Sequence, residues 1–227
     1  MSGRARAAKQ RASARPTREP KRLVFRPRAQ RRKLESRERI LTEARRLFGR
    51  RGFAAVTTAE IAEAAGVAKG SVFAQVGSKE RLLVLVFQRD MNTWLDDASA
   101  AARRGRGALL DQLTRFFAAM LAGAAAAPEL TAVFMREMPY AHREPEIVAV
   151  MMRTDALLGD LIDAAKARGE LVESVDTPML SRNLFALYFF HQFIWLAADM
   201  PRHDDMKPTL HERLDLHLCG LTTRRPR

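Results

Sequence analysis

The spacing of apolar residues along the chain predicts helices almost throughout. From Ile40 to Phe48, apolar residues recur at intervals that place them on one face of a helix. Arg50 and Arg51 suit the C-terminus of this helix, and Gly52 can adopt the left-handed conformation that ends it. The 227 residues include only ten prolines and twelve glycines, which also favours an all-α fold.

Three further helices are predicted immediately after the first one. Thr57 and Glu60 have the spacing of a capping box, and the helix that they begin ends at Gly66. A short helical segment follows at about 68–76, and Ser78 caps a long fourth helix. Two short helices joined by a tight turn are typical of a helix-turn-helix, and the turn requires a residue that can take a positive φ, such as Gly66.

Five more helices are predicted in the rest of the chain, which makes about nine in total. Their approximate positions are 108–127, 128–138, 144–167, 178–199 and from Pro208 onwards. Proline is favoured in the first turn of a helix, which supports the starts at Pro128 and Pro208.

An ordered pattern of residues extends from Arg39 to Leu83. It consists of Ala44, Leu47-Phe48, Gly52-Phe53, Thr57-Thr58, Ile61-Ala62, Ala65-Gly66-Val67, Lys69-Gly70-Ser71-Val72-Phe73, Ser78-Lys79-Glu80 and Leu82-Leu83. This pattern, at about 36–85, resembles the DNA-binding domain of the TetR family of bacterial transcriptional regulators. The resemblance implies a helix-turn-helix head, followed by a helical domain that binds an effector and forms a dimer.

The resemblance also implies which residues contact DNA. Thr57 and Thr58 begin a helix that crosses the DNA backbone. Lys69, Gly70 and Ser71 open the recognition helix, whose first residues face base edges. Gln75 and Lys79 stand at phosphate-contacting positions, and the helix N-terminus at Lys79 also favours an anion. The expected DNA-binding residues are Thr57, Thr58, Lys69, Gly70, Ser71, Phe73, Gln75 and Lys79.

Three residues depart from the family pattern. Phe73 stands where the family usually has Tyr, so a hydroxyl that reaches phosphate is missing. Ala68 stands where Ser usually caps the recognition helix, and the loss of such a cap costs about 1 kcal/mol. Val76 replaces the usual Phe and thins the small core of the head.

Positive charge is concentrated at the N-terminus. Residues 1–33 hold thirteen Lys or Arg and one acidic residue, Glu19, and so carry +12 of the formal +13 of the chain. This composition predicts a disordered basic arm that contacts nucleic acid, where each neutralised phosphate adds affinity. A solvated tail without function is the alternative. The predicted domains are the arm at 1–33, a helix-turn-helix DNA-binding domain at 34–82, and a helical effector-binding and dimerisation domain at 83–223.

The most apolar stretch runs from Leu184 to Met200. It is too short for a membrane span, and His191 and Gln192 lie at its centre, so no membrane partner is expected. A helix that is apolar on nearly all sides must be buried on nearly all sides, by its own domain and by a second subunit. The resemblance likewise implies a homodimer interface built from the last two long helices. The expected interface residues are Leu187, Phe189, Phe190, Phe193, Trp195, Leu214 and Leu218. The central helix of a monomer is the alternative.

Methionine and aromatic residues are frequent in the same domain. Such side chains line adaptable apolar pockets, although many of them belong to an ordinary core. They predict a site for an apolar or amphipathic small molecule. The expected lining residues are Phe116, Met120, Met135, Met138, Tyr140, Met151, Met152 and Phe185.

No sequence pattern indicates catalysis or metal binding. The five histidines show no His-Glu-x-x-His spacing, and no glycine-rich phosphate loop is present. Cys219 is the only cysteine, which excludes a disulfide within the chain and a cysteine-based zinc finger. The basic N-terminus lacks the apolar segment of a secretory signal. We therefore expect no catalytic residues, no metal and no cofactor, and a cytoplasmic location.

These features predict a homodimeric transcriptional regulator that binds double-stranded DNA at a palindromic operator. The first interpretation is a repressor that a small molecule releases from DNA. A constitutive DNA-binding protein without an effector is one alternative. A helical carrier or enzyme that uses the helix-turn-helix only as a scaffold is the other.

Overall fold

A computed structural model describes residues 27–104, 107–141, 143–197 and 206–223, and within these ranges the chain forms nine α-helices. They are α1 (Pro27–Arg51), α2 (Thr58–Ala64), α3 (Lys69–Val76), α4 (Lys79–Arg103), α5 (Leu109–Ala125), α6 (Pro128–Ala141), α7 (Pro145–Ala167), α8 (Thr177–Ala197) and α9 (Met206–Leu218). The predicted all-α fold is confirmed. Extended pairing in the described ranges is limited to one isolated bridge, between Leu171 and Thr222.

Helix α1 begins earlier than the sequence predicted. Residues 27–33, which were assigned to the disordered arm, form the first two turns of this helix. Arg, Lys and Gln favour helices, and Arg31 pairs with Glu35 one turn later, with 2.8 Å between Nε and Oε1. The remainder of the predicted arm, 1–26, lies outside the described residues.

The predicted caps and turn of the head are present. The Thr57 hydroxyl accepts a hydrogen bond from the Glu60 backbone N–H at 3.2 Å, and the Glu60 carboxylate accepts one from the Thr57 N–H at 2.8 Å. Gly66 has a φ of 62° in the turn between α2 and α3. Ser78 caps α4, whereas Ala68, as predicted, gives α3 no side-chain cap.

Two hydrophobic cores meet at α4. The first core belongs to the head, which we define as α1, α2, α3 and the first two turns of α4, and it also receives Leu130 from α6. The second core belongs to the body, which consists of the rest of α4 and α5–α9. The predicted domain boundary between residues 82 and 83 therefore falls inside one continuous helix.

Helices α5 and α6 meet at a sharp corner of 99°. Helix α6 then contacts both α1 of the head and α8 of the body. Among the described residues, no single helix is long and apolar enough to cross a membrane, and only this bent pair reaches that length and apolar character together.

A glycine lies where α5 packs against Trp94 of α4. A Cβ atom on Gly123 would lie 2.4 Å from Cγ and Cδ1 of Trp94, closer than packed atoms allow. Gly123 therefore lets the Trp94 ring lie against the backbone of α5, in a segment that is otherwise rich in alanine.

We expect Gly123→Ala to destabilise the protein. The change would gain about 1 kcal/mol of helix propensity, but overpacking against Trp94 costs about 1–3 kcal/mol. Gly159→Ala in α7 is a matched control, because its Cβ would lie at an ordinary 3.7 Å from Thr177 Cγ2. Urea denaturation should show a lower free energy of unfolding for Gly123→Ala and an unchanged or higher one for Gly159→Ala. Equal stability of the two variants would contradict this packing.

Candidate functional site

The outward face of α3 is exposed in the part of the chain that the structure describes. Lys69, Gly70, Phe73 and Ala74 are exposed on this face, whereas Val72 and Val76 are buried in the head core. Ser71 and Gln75 are half-buried at its borders. The face is therefore available to a partner of the head, and Lys69 supplies its positive charge.

The start of α2 is fixed by hydrogen bonds within the head. The Thr57 hydroxyl donates its single hydrogen to Oε2 of Glu60 at 2.8 Å. The Thr57 N–H, together with Nη1 of Arg51 at 2.7 Å from Oε1, holds the pKa of the Glu60 carboxyl at about 2. Thr57 thus positions the helix and has no hydroxyl hydrogen left for a phosphate, while the half-buried Thr58 follows it in the first turn.

Lys79 is held at the N-terminus of α4 by the loop that follows α1. Its Nζ donates to the carbonyl of Ala54 at 3.4 Å and lies 4.4 Å from the centroid of the Phe53 ring. A cation beside a helix N-terminus makes a favourable place for an anion. Nearby in sequence, the side-chain carbonyl of Gln75 is buried without a hydrogen-bond partner among the described residues.

A cavity of about 470 Å³ lies in the body between α4, α6, α7 and α8. The rings of Phe87 and Phe134 stack in its wall, with centroids 3.4 Å apart. The lining residues are Phe87, Met91, Phe134, Met138, Ile147, Val150, Met151, Thr154, Asp155, Arg182, Phe185, Ala186 and Phe189. The cavity is thus almost wholly apolar, which suits a hydrophobic ligand.

The few polar groups of the cavity differ in how they are satisfied. The Thr154 hydroxyl donates to the Val150 carbonyl at 2.9 Å, and Asp155 accepts from Ser181 at 3.1 Å. The exposed Arg182 guanidinium has no hydrogen bond or ion pair in the part of the chain that the structure describes. It is therefore free to pair with a polar or anionic group of a ligand.

Three of the eight residues expected to line a pocket do line this cavity: Met138, Met151 and Phe185. Four others do not. Phe116 and Met120 are fully buried in the body core, Met135 is half-buried elsewhere, and Met152 is 67% exposed. The side chain of the eighth, Tyr140, lies outside the described structure.

The residues that sequence reasoning missed share helical spacing with those that it found. Phe134 precedes Met138 by one turn, and Arg182 and Phe189 flank Phe185 at intervals of three and four. Phe87 and Met91 form a similar pair on α4. This spacing was visible in the sequence, but it marks any buried helical face. Within the described residues, no group of three side chains is suited to hold a metal ion.

Helix α8 presents an apolar outer face. Phe190 and Phe193 are about half exposed, at 52% and 51%, while Leu184 and Tyr188 on the opposite face are buried. Of the other expected interface residues on α8, Leu187 and Trp195 are partly buried and Phe189 lines the cavity. An exposed patch of this kind on a helix surface is typical of an interaction site.

The expectation that Leu214 and Leu218 lie at an interface is wrong. They are 0% and 2% exposed, because α9 turns Leu210, Leu214 and Leu218 into the body core at intervals of four. Leu216 lies on the outer face of the same helix and is 76% exposed.

Two contacts connect the head to the cavity. Arg81, in the first turn of α4, pairs with Glu144 and with Glu146, whose Oε1 lies 2.8 Å from Nη2, and Ile147 beside Glu146 lines the cavity. On α6, Leu130 is buried in the head core, and Phe134, one turn later, lines the cavity. The cavity wall is therefore joined to the head by packing through α6 and by ion pairs at the start of α7.

The head is similar in sequence to known DNA-binding regulators. Residues 40–86 match the bacterial regulatory proteins of the tetR family. Over 50 residues the chain is 46% identical to YerO, an uncharacterised HTH-type transcriptional regulator of Bacillus subtilis. This match spans 22% of the chain and 17% of YerO, so it concerns the head alone.

Solved structures extend the likeness to the body. FadR of Thermus thermophilus, a TetR-family transcriptional repressor in complex with lauroyl-CoA, has a TM-score of 0.67 and 26% identity, over 84% of this chain and 97% of that one. A TetR-family regulator from Pectobacterium atrosepticum has a TM-score of 0.70 at 20% identity, over 89% and 100% of the two chains. FadR of Bacillus subtilis in complex with stearoyl-CoA has a TM-score of 0.63 at 17% identity, over 78% and 96%. The last two likenesses concern the fold.

Proposed function

We propose, from the membership of this chain in the TetR family of bacterial transcriptional regulators, that it is a repressor which a small molecule releases from DNA. The observation that carries the proposal is the position of α4 between two sites. Its N-terminus lies beside the exposed face of α3, and Phe87 and Met91 further along it line the apolar cavity. A ligand site and a DNA-binding head on one helix are what a ligand-released repressor requires.

DNA is contacted by α3 and by the helix ends around it. Lys69 at the start of α3 faces base edges in the major groove, and Lys79 at the start of α4 contacts phosphate. Thr58, Gly70, Ser71 and the amide of Gln75 complete the surface, and Thr57 positions α2. The basic residues at the beginning of α1 add affinity that does not depend on DNA sequence.

The working form is a homodimer on a palindromic operator. The exposed Phe190 and Phe193 of α8 support this assembly, because pairing two such faces would remove both from water. Two heads related by a two-fold axis place their recognition helices about 34–36 Å apart, one turn of DNA.

The ligand is an amphipathic molecule with an apolar chain. The cavity of about 470 Å³ is lined mainly by apolar side chains, and Arg182 offers one unpaired cation. The Thermus thermophilus neighbour that contains lauroyl-CoA supports an acyl chain as the apolar part. The ligand binds better to a conformation whose heads are spaced too widely for the operator, so that ligand and DNA weaken each other.

The first test concerns DNA. We expect Lys79→Ala to weaken binding to every sequence and to reduce the slope of log affinity against log salt by about one unit per subunit, because each subunit of the proposed dimer loses one phosphate contact. Lys69→Ala should also change sequence preference. The DNA probes are a duplex selected from a random pool by the protein itself and an unselected duplex, compared by fluorescence anisotropy.

Arg213→Ala is the control for this test, since it removes from α9, in the body, one exposed charge that has no partner among the described residues. If Lys79→Ala and Lys69→Ala both bind like Arg213→Ala, the DNA surface is assigned to the wrong residues.

The second test concerns the ligand, and two adjacent methionines provide it. Met151 is 43% exposed and lines the cavity, whereas Met152 is 67% exposed and does not line it. Met151→Ala should raise the concentration of lauroyl-CoA that releases half of the DNA by about three- to tenfold, because roughly 1 kcal/mol of apolar contact is lost. Met152→Ala should leave it unchanged.

Free coenzyme A and lauric acid separate the contribution of the acyl chain from that of the polar group in the same anisotropy assay. Release of DNA by free coenzyme A or other hydrophilic anions, and not by any acyl compound, would contradict an apolar effector site.

The third test concerns assembly. Phe190→Glu should convert the dimer to a monomer at micromolar concentration, because burying an unpaired carboxylate in an apolar interface is very costly. Val148→Glu is the control, since it places the same charge at another exposed apolar residue, on α7 instead of α8. Sedimentation velocity gives the result directly. A wild-type protein that sediments as a monomer would exclude the proposed dimer.

A further inference from the structure

The recognition helix exposes an aromatic ring that folding does not require. Phe73 is 57% exposed, and its ring makes no aromatic or cation–π contact in the part of the chain that the structure describes. Its neighbours Val72 and Val76 already anchor α3 in the head core. Because this ring lies on the outward face of the recognition helix, a partner that binds this face can bury it, and burial of an aromatic ring is favourable.

The surface around Phe73 is poor in hydrogen-bonding groups. Gly70 and Ala74 flank the ring on the exposed face, and Lys69, one turn earlier, provides the cation. Ser71 is half-buried, and the carbonyl of Gln75 is turned into the protein. The centre of this outward face is therefore apolar, and Lys69 provides a charged donor at one end of it.

The major groove displays one apolar feature on its base edges, the C5-methyl group of thymine. We propose that Phe73, together with Ala74, recognises DNA sequence by packing on thymine methyl groups, and that it does so one helical turn from the base contacted by Lys69. This inference rests on the proposed function as a DNA-binding repressor. It names Phe73 as a specificity-determining residue that acts without a hydrogen bond.

Deoxyuridine provides the test, because it pairs like thymidine and lacks only the methyl group. Full-length protein first selects duplexes from a random pool, and each thymidine of the selected site is then replaced singly by deoxyuridine. We expect a loss of about three- to fivefold in affinity at one or two positions in each half-site, the effect of one buried methyl group. If such a thymine is replaced by cytosine, methylation of that cytosine at C5 should recover part of the lost affinity.

Variants connect the loss to Phe73. In Phe73→Ala, the deoxyuridine penalty should disappear at the same positions while the salt dependence stays unchanged, because no charge is altered. Phe73→Leu keeps an apolar side chain and should retain part of the penalty. Lys79→Ala should bind more weakly to every duplex and keep the penalty in full.

The outcomes are distinct. If sequences are selected but deoxyuridine costs nothing at any position, or if the penalty persists in Phe73→Ala, then Phe73 does not recognise methyl groups, although the proposed repressor function stands. If the protein selects no sequence at all, the proposed function fails and this inference fails with it.

Discussion

The arrangement of the whole molecule depends on the burial of the start of α4 on all its sides. Six consecutive residues near its start, 82–87, are each no more than 5% exposed, although a helix at a surface would show one face to water. Leu82, Leu83, Leu85 and Val86 belong to the head core, whereas Val84 and Phe87 belong to the body core. Since close-packed interiors do not deform freely, the two cores cannot shift independently of this helix.

The contacts around α4 explain how a small change in the cavity could move the head. Phe87 of the cavity wall is one turn from Leu83 of the head core, and its partner Phe134 is one turn from Leu130 on α6. Arg81 adds a charged tie to the start of α7 on the outside. Rigid helices that share packed cores carry such coupling as small rotations rather than as local bending, provided that the ligand distinguishes the two arrangements.

The sequence allowed the head to be predicted in detail because its signals are local. The capping box of Thr57 and Glu60, the turn at Gly66 and the cap at Ser78 each depend on residues within a few positions. The cavity could not be predicted in this way. Phe116 and Met138 are both large apolar side chains with similar helical spacing. Only the tertiary packing of α5 and α6 places Phe116 in the core and Met138 in the cavity wall. Leu214 and Leu218 illustrate the same limit, because periodicity shows that a face is buried and does not show what buries it.

Helix α3 is anchored through its inner face, and its outer face takes little part in holding it. Ala68 gives α3 no cap, so the eight-residue helix depends on Val72 and Val76 in the head core and on the turn at Gly66. Short helices are marginal by themselves, and here tertiary packing supplies the order. The outward residues contribute little to that packing, so the packing of α3 does not constrain which side chains stand at positions 69 and 73. The identity of the exposed residue 73 therefore has little effect on whether the head folds.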